Sequence, residues 1–323
     1  MKLTRRLALL CASAMLPVLA AAADYPSAPV RLVVGFSPGG GTDGAARLVA
    51  EKLGQELGQT VIVDNRAGAG GTIGAQSVAR AAPDGYTLFF GTGAELLVNP
   101  ITRKTAPYEL LKDFAPVAEV GGVTFVLVVP ATSPVDSVPG LVTYAATRPA
   151  GLQFSSFGAG STNHLVGELF RSTTGIKALH VPYKGSQPAM MALLGGEVDF
   201  TFETTAVALP QIRAGKLRAL ATPSPQRLKE LPNVPTLQEA GFKDLVAEGW
   251  MGVFAPTGTP SPIVQRLNQA LVKVMRMPDV QEKLTDRGVK VATGTPEEYR
   301  RKLASESEKW QRIVKDAGVS LMD

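Results

Sequence analysis

Residues 30–44 read VRLVVGFSPGGGTDG: a short, mostly apolar run, a turn through Gly35 to Pro38, three consecutive glycines and the start of a helix. The run has the length of a strand. After it Ala46, Val49, Leu53 and Leu57 recur at three- and four-residue spacing, the period of a helix with one apolar face. A strand that turns through glycine into such a helix opens a parallel α/β unit. Glycines at that turn leave backbone N–H groups uncovered at the positive end of the helix dipole, which suits an anionic group on a small ligand.

The opening strand is expected over 30–36, and strand-length runs follow at 60–64, 86–91, 125–130, 153–156, 178–181, 198–203, 217–222 and 251–255. They alternate with helical patterns, so the fold class is α/β. After Trp250 the chain reads mostly as helices. Ser261-Pro262 is expected as an N-cap followed by proline at the first helical position, ahead of a stripe of Ile263, Leu267, Leu271 and Val274. Thr295-Pro296-Glu297-Glu298 has the form of a capping box and opens a charged helix expected to end near Gly318. The stretch from Pro223 to Pro235 reads as a surface loop or strap.

The N-terminus sets the compartment. Lys2, Arg5 and Arg6 precede an apolar run from Leu7 to Leu19 and then four alanines. This is the order of a secretory signal peptide over residues 1–23, cleaved after Ala22 or Ala23, and the run falls short of the roughly 20 residues a membrane span needs. Cleavage removes Cys11, the one cysteine, and lowers the net charge from +5 to +2. Disulfides and thiolate sites are thereby excluded, and with only His164 and His180 a histidine-rich metal site is excluded too. There is no basic arm for nucleic acid. The mature chain, periplasmic on this reading, is long enough for two cores.

Gly39, Gly41 and Gly44 also spell G-x-G-x-x-G, with Asp64 closing the next strand, so a dinucleotide site is a rival reading. Against it stand the longer turn, the export signal, and a second glycine turn, Gly68-Ala69-Gly70-Gly71-Thr72-Ile73-Gly74, after the next strand. Two such mouths at neighbouring strand ends suit a wide pocket for a small ligand. Close packing alone would account for Gly74. A third polar mouth, Ser155 to His164, joins a later strand to a helix carrying Leu165, Val166, Leu169 and Phe170. A cleft between two lobes would result.

On the motifs FSPGGGTD, DNRAGAGGTIGA, FGAGSTNHL, HVPYKG, GGEVDFTFE, KLRALA, LPNVPTLQEAGF and GWMGVFAPTGTP, in this order, the chain resembles the Bug-type extracytoplasmic solute receptors of tripartite tricarboxylate transport systems. The resemblance implies a type II periplasmic-binding-protein fold: two α/β lobes joined by two crossing hinge strands near 125–130 and 249–255. Lobe 1 would hold 24–124 and 249–323, and lobe 2 would hold 125–248. It implies ligand contacts from Ser37, Pro38, Gly39, Gly40, Gly41 and Thr42 with Asp43 as helix cap, from the 91–95 loop including Gly93 and Glu95, and from Gly160, Ser161, Thr162, Asn163 and His164. Phe36, Tyr183, Glu203 and Thr204 complete the candidate set. The implied partners are a small organic acid (a mono- or dicarboxylate, an aromatic acid or an acidic amino acid) and a membrane transporter or sensor, with the receptor monomeric and without cofactor, metal or catalytic residues. The chain departs from the family pattern at Asn99–Tyr108 and at Glu203-Thr204-Thr205.

Two other functions compete. Ser161, His164 and Glu168 invite a hydrolase reading, an exported enzyme acting on a small acid, but Ser and His three apart on one helix start make no nucleophile elbow and no G-x-S-x-G occurs. A receptor for an uncharged or amide ligand would use Glu203 as its acceptor. Lys184 reads more readily as solvated than as a carboxylate ligand, and Trp250 as hinge packing at least as readily as a stacking platform.

Overall fold

A computed structural model describes residues 25–103, 105–243 and 245–316. The expected signal peptide and the expected helix end near Gly318 lie outside these residues. The strands are β1 (Val30–Val34), β2 (Val61–Asn65), β3 (Thr87–Thr92), β4 (Phe114–Val123), β5 (Phe125–Pro130), β6 (Leu152–Ser156), β7 (Ala178–Pro182), β8 (Phe200–Thr204), β9 (Leu217–Ala221), β10 (Gly249–Pro256) and β11 (Val289–Val291). The principal helices are α1 (Gly41–Leu57), α2 (Thr72–Ala79), α3 (Val138–Ala146), α4 (Thr162–Thr174), α5 (Ser186–Leu194), α6 (Thr205–Arg213), α7 (Ser261–Met275), α8 (Pro278–Thr285) and α9 (Pro296–Asp316). Two sheets result, a large one in the order β11-β4-β10-β3-β1-β2 and a small one in the order β7-β6-β8-β5-β9.

Alternation along the strands decides which helix lies on which face. Val30, Leu32 and Val34 of β1 and Leu88 and Phe90 of β3 pack with Val49 and Leu53 of α1, joined by Leu267 and Leu271 of α7. Val33 and Phe89 point the other way, into the cluster that holds Ala75 and Val78 of α2. β1 pairs in parallel with β2 on one side and β3 on the other, so α1 and α2 cover opposite faces. The direction of winding therefore reverses beside β1, and sheets of this kind take ligands in the crevice beyond the strand ends at that point. The small sheet repeats the plan, with β6 in parallel between β7 and β8. There α4 packs Val166 and Phe170 with Phe154, Phe200 and Phe202, and α5 packs Met190 and Leu193 on the opposite face with Val126 and Val128.

β4 and β11 are additions to the expected strands. β4 carries Pro116 and Gly121-Gly122, which break its alternation, yet it is held antiparallel between β10 and β11 with register shifts at Met251/Gly252 and Val253/Phe254. The chain leaves the large sheet at Thr124 and returns at Gly249, which pairs with Val123. Neither β5 nor β10 is shared between sheets; each begins at a crossing and belongs to one sheet. The capping of α7 corrects the expectation: Ser261 is its first residue and its hydroxyl caps nothing, because the Pro260 carbonyl takes the first N–H bonds, from Ile263 and Val264. The capping box holds, with Thr295 N–H donating to Glu298 Oε2 at 2.9 Å and Glu298 N–H to Thr295 Oγ1 at 3.1 Å.

Candidate functional site

The glycine turn after β1 is exposed from Ser37 to Gly41, with Phe36 half-buried beneath it. Gly40 is the extended N-cap of α1, at φ −81° and ψ 171°. The first helical bond runs from Gly44 N–H to the Gly40 carbonyl at 2.9 Å. The N–H groups of Gly40, Gly41, Thr42 and Asp43 are thus the orphan donors of the first turn, and no partner for them occurs among the described residues. Asp43 is not the N-cap residue. It sits inside the first turn and its carboxylate reaches back, accepting from Gly39 N–H (2.9 Å), Arg47 Nε (3.0 Å) and Asn65 Nδ2 (2.9 Å). Burial opposes its charge, but the bonds from Arg47, Gly39 and Asn65 outweigh that and hold the carboxyl below its usual range. Gly39 N–H is therefore taken by the protein itself, and an incoming anion meets the donors that follow it.

The second glycine turn is pressed against the first. A side chain on Gly35 would lie 2.8 Å from the Gly71 carbonyl oxygen, and Gly71 itself has φ +91° with Glu95 Cβ 2.8 Å from where its own Cβ would stand. It also meets the third mouth: a Gly70 Cβ would lie 3.5 Å from the Ala159 carbonyl oxygen. Asn99 donates to the Gly70 carbonyl at 2.6 Å while its Oδ1 is buried without a partner. Cavities of about 540 Å³ beside α7 and about 460 Å³ beside Tyr108 are lined by none of the candidate residues. Asp64, the ribose acid of the dinucleotide reading, is instead bonded to Arg66 at 2.9 Å. Gly93 is buried against the Trp250 ring, and Glu95 is fully buried, its Oε1 accepting Thr92 N–H (2.7 Å) and its Oε2 Thr92 Oγ1 (2.5 Å). Burial pushes the Glu95 carboxyl up to about 7 against those bonds.

The third mouth is tied to itself. Ser161 Oγ donates to the Gly158 carbonyl at 2.6 Å, Phe157 N–H to Asn163 Oδ1 at 3.3 Å and Gly160 N–H to His164 Nδ1 at 3.2 Å. Ser156 Oγ lies 2.6 Å from His180 Nε2, and the His164 and His180 rings are stacked with centroids 3.8 Å apart. Burial lowers the ionisation of His164, while burial and then the neighbouring His164 ring hold His180 down to about 3. The two neutral imidazoles fasten the loop, His164 by accepting from Gly160 N–H and His180 through its bond with Ser156 Oγ. The sequence offered both histidines but no sign that they meet; HVPYKG was the one motif that carried His180. Thr162, Asn163 and His164 keep the free N–H groups of this helix start, since Leu165 N–H makes the first helical bond, to the Ser161 carbonyl.

The remaining candidates lie at or beyond the ends of β7 and β8. Glu203 is fully buried, its Oε1 accepting from Thr204 N–H (2.7 Å), Thr204 Oγ1 (3.0 Å) and Ser186 Oγ (3.0 Å), and its Oε2 has no partner. Thr204 is the N-cap of α6. Tyr183 turns its hydroxyl to Glu197 Oε2 at 3.3 Å and packs on the core of the small sheet. Lys184 is exposed, and Trp250 is core packing against Phe254 and Tyr299.

Two α/β lobes wound alike, each with a polar turn and free N–H groups at the start of the helix after its first parallel strand, have the plan of a solute receptor of the periplasmic-binding-protein class. Residues 45–319 match the family described as "Tripartite tricarboxylate transporter family receptor", and the chain belongs to that family. It is 39% identical to protein BugT of Bordetella pertussis over 325 residues, covering 99% of this chain and 100% of that one. Among solved structures it is similar to Rpa4515 of R. palustris with adipate (37% identity, TM-score 0.87, 92% of this chain and 99% of that one). It is also similar to MatC of Rhodopseudomonas palustris with bound malate (33% identity, TM-score 0.84, 90% and 100%). The family consists of receptors and not enzymes, and no helix of the described residues is long and apolar enough to cross a membrane.

Proposed function

We propose that the chain is a periplasmic receptor that captures a small carboxylated molecule between its lobes and delivers it to a membrane transporter. The lobes divide at Thr124–Phe125 and before Gly249, and they close about the adjacent crossings as in other two-domain binding proteins. The observation that carries this reading is the run of orphan N–H groups from Gly40 to Asp43 on an exposed turn, with a second run from Thr162 to His164 at the matching helix start of the other lobe. Fixed donors at two helix starts take a carboxylate in the manner of other helix-terminus anion sites. The adipate and malate held by two relatives support the ligand class.

The test is a thermal-shift screen of the exported protein with adipate, malate, aromatic acids, acidic amino acids and the corresponding amides, since a ligand specific to the folded state raises the melting temperature. Acids should shift it and their amides less. Gly40→Val should abolish the shift: at φ −81° the backbone admits a side chain, and the nearest atom to the new Cβ is Ser37 O at 3.9 Å. The substitution therefore fills the anion's approach without straining the fold. A best ligand without a carboxylate, or normal binding by Gly40→Val, would sink the reading.

A further inference from the structure

The two lobes carry a buried glutamate at matching places, Glu95 just past β3 and Glu203 near the end of β8, and they treat it differently. Both oxygens of Glu95 are bonded within its own turn. Glu203 has three donors converging on Oε1, from Thr204 and from Ser186 at the head of α5, and none on Oε2. With Oε1 saturated as an acceptor, a proton on this carboxyl resides on Oε2, where the described residues offer it no acceptor. α5, α6 and β5 bring Ser186, Thr205 and Val126 to its surroundings, and no charged group acts on it. The residue also adjoins the crossing, since Thr204 pairs with Phe125 and Thr205 N–H donates to the Thr124 carbonyl. A buried O–H that lacks an acceptor in the protein needs one from outside it.

We propose that Glu203 determines specificity as a neutral carboxylic acid, its Oε2–H donating to an oxygen on the end of the ligand remote from the Gly40 turn. The inference rests on the receptor reading above. It narrows the ligand to acids with a second oxygen acceptor, a carboxylate or a carbonyl, over acids that end in a methyl or an ammonium group. An ammonium would call for the ionised carboxylate, while an acceptor is repelled by it. Burial, which pushes the Glu203 carboxyl up to about 8, keeps the donor form dominant at neutral pH.

The experiment is isothermal titration of the exported protein at pH 6.5 and pH 9.5 with two matched sets: adipate, its monoamide, hexanoate and 6-aminohexanoate, and succinate, its monoamide, butyrate and 4-aminobutyrate. In at least one set the dicarboxylate and monoamide should bind at least tenfold more tightly than the other two. The dicarboxylate should weaken about tenfold or more at the higher pH as Glu203 ionises. In Glu203→Gln, whose fold is checked by its melting curve, the affinity ratio between the two pH values should shrink to within about twofold. Tightest binding by an ω-amino acid, equal binding of the methyl-ended acid, or a pH response that persists in Glu203→Gln overturns the role of Glu203 while leaving the receptor reading standing. Binding of none of the eight compounds overturns this inference, while the receptor reading is decided separately by the aromatic and amino-acid arms of the thermal-shift screen.

Discussion

The turn after β1 and the turn after β6 open the same strand–turn–helix unit, but one stands open and the other is fastened. In the first lobe Ser37 to Gly41 are exposed, and the side chain that holds them, Asp43, reaches back from within the helix. In the second lobe Gly160, Ser161 and Asn163 are buried and held by a hydroxyl, an amide oxygen and two imidazoles. The difference separates two tasks. Substitution in the open turn should change affinity more than stability, and substitution in the fastened turn should do the reverse.

The largest effect that would break this contrast is acid unfolding. Both histidines lie in the second lobe with ionisation depressed, His180 to about 3. The unfolded chain takes up protons below its ordinary histidine value of 6.5 and the folded one does not, so stability is lost as pH falls from there, His180 alone accounting for at most about 3 kcal/mol at pH 4 before solvent screening. Hydrogen exchange at pH 4.5 against pH 7 should show protection falling first in β7 and α4, and His180→Gln should flatten the acid limb. Loss beginning in β2 and α1 would reverse the comparison. Glu203, raised to about 8, supplies the opposite limb: stability is complete below the unfolded value near 4.5 and declines as pH rises towards 8.

Next in size is Gly40→Val, which should cost roughly 2 kcal/mol or more of acid binding, the scale of hydrogen bonds to a charged group, with little change in melting temperature without ligand. Asp43→Asn should cost about 1–2 kcal/mol of stability in urea denaturation, because three donors lose a charged acceptor. Smallest is Ser161→Ala, about 1 kcal/mol of stability. Its effect on ligand affinity should be minor, since the substitution removes a hydroxyl that holds the turn and leaves the N–H groups of Thr162 to His164 in place, and a larger change in affinity than in stability would mean that the hydroxyl itself holds the ligand.

How far these features were legible in the sequence follows the range of the forces behind them. Glycine turns, the α1 stripe and the Thr295–Glu298 box are local, and they appear where their spacing puts them. β4 was not legible, because Pro116 and Gly121-Gly122 interrupt its pattern and its stability comes from pairing with β10, far along the chain. The candidate residues were legible as types, but their surroundings were not: Asp43 depends on Asn65, His164 on a ring from β7, and Glu203 on a burial that no spacing announces.

The two crossings also bear on the order of assembly. Every strand of the small sheet lies between Phe125 and Ala221, whereas Phe254 of β10 must find Phe89 of β3 in the large one. Pairing β10 closes a loop that contains the whole small sheet, and the entropy of that closure falls once the intervening chain has compacted and brought Gly249 to Val123. The last long strand of the large sheet is therefore a clasp, favoured to shut after the small sheet has formed.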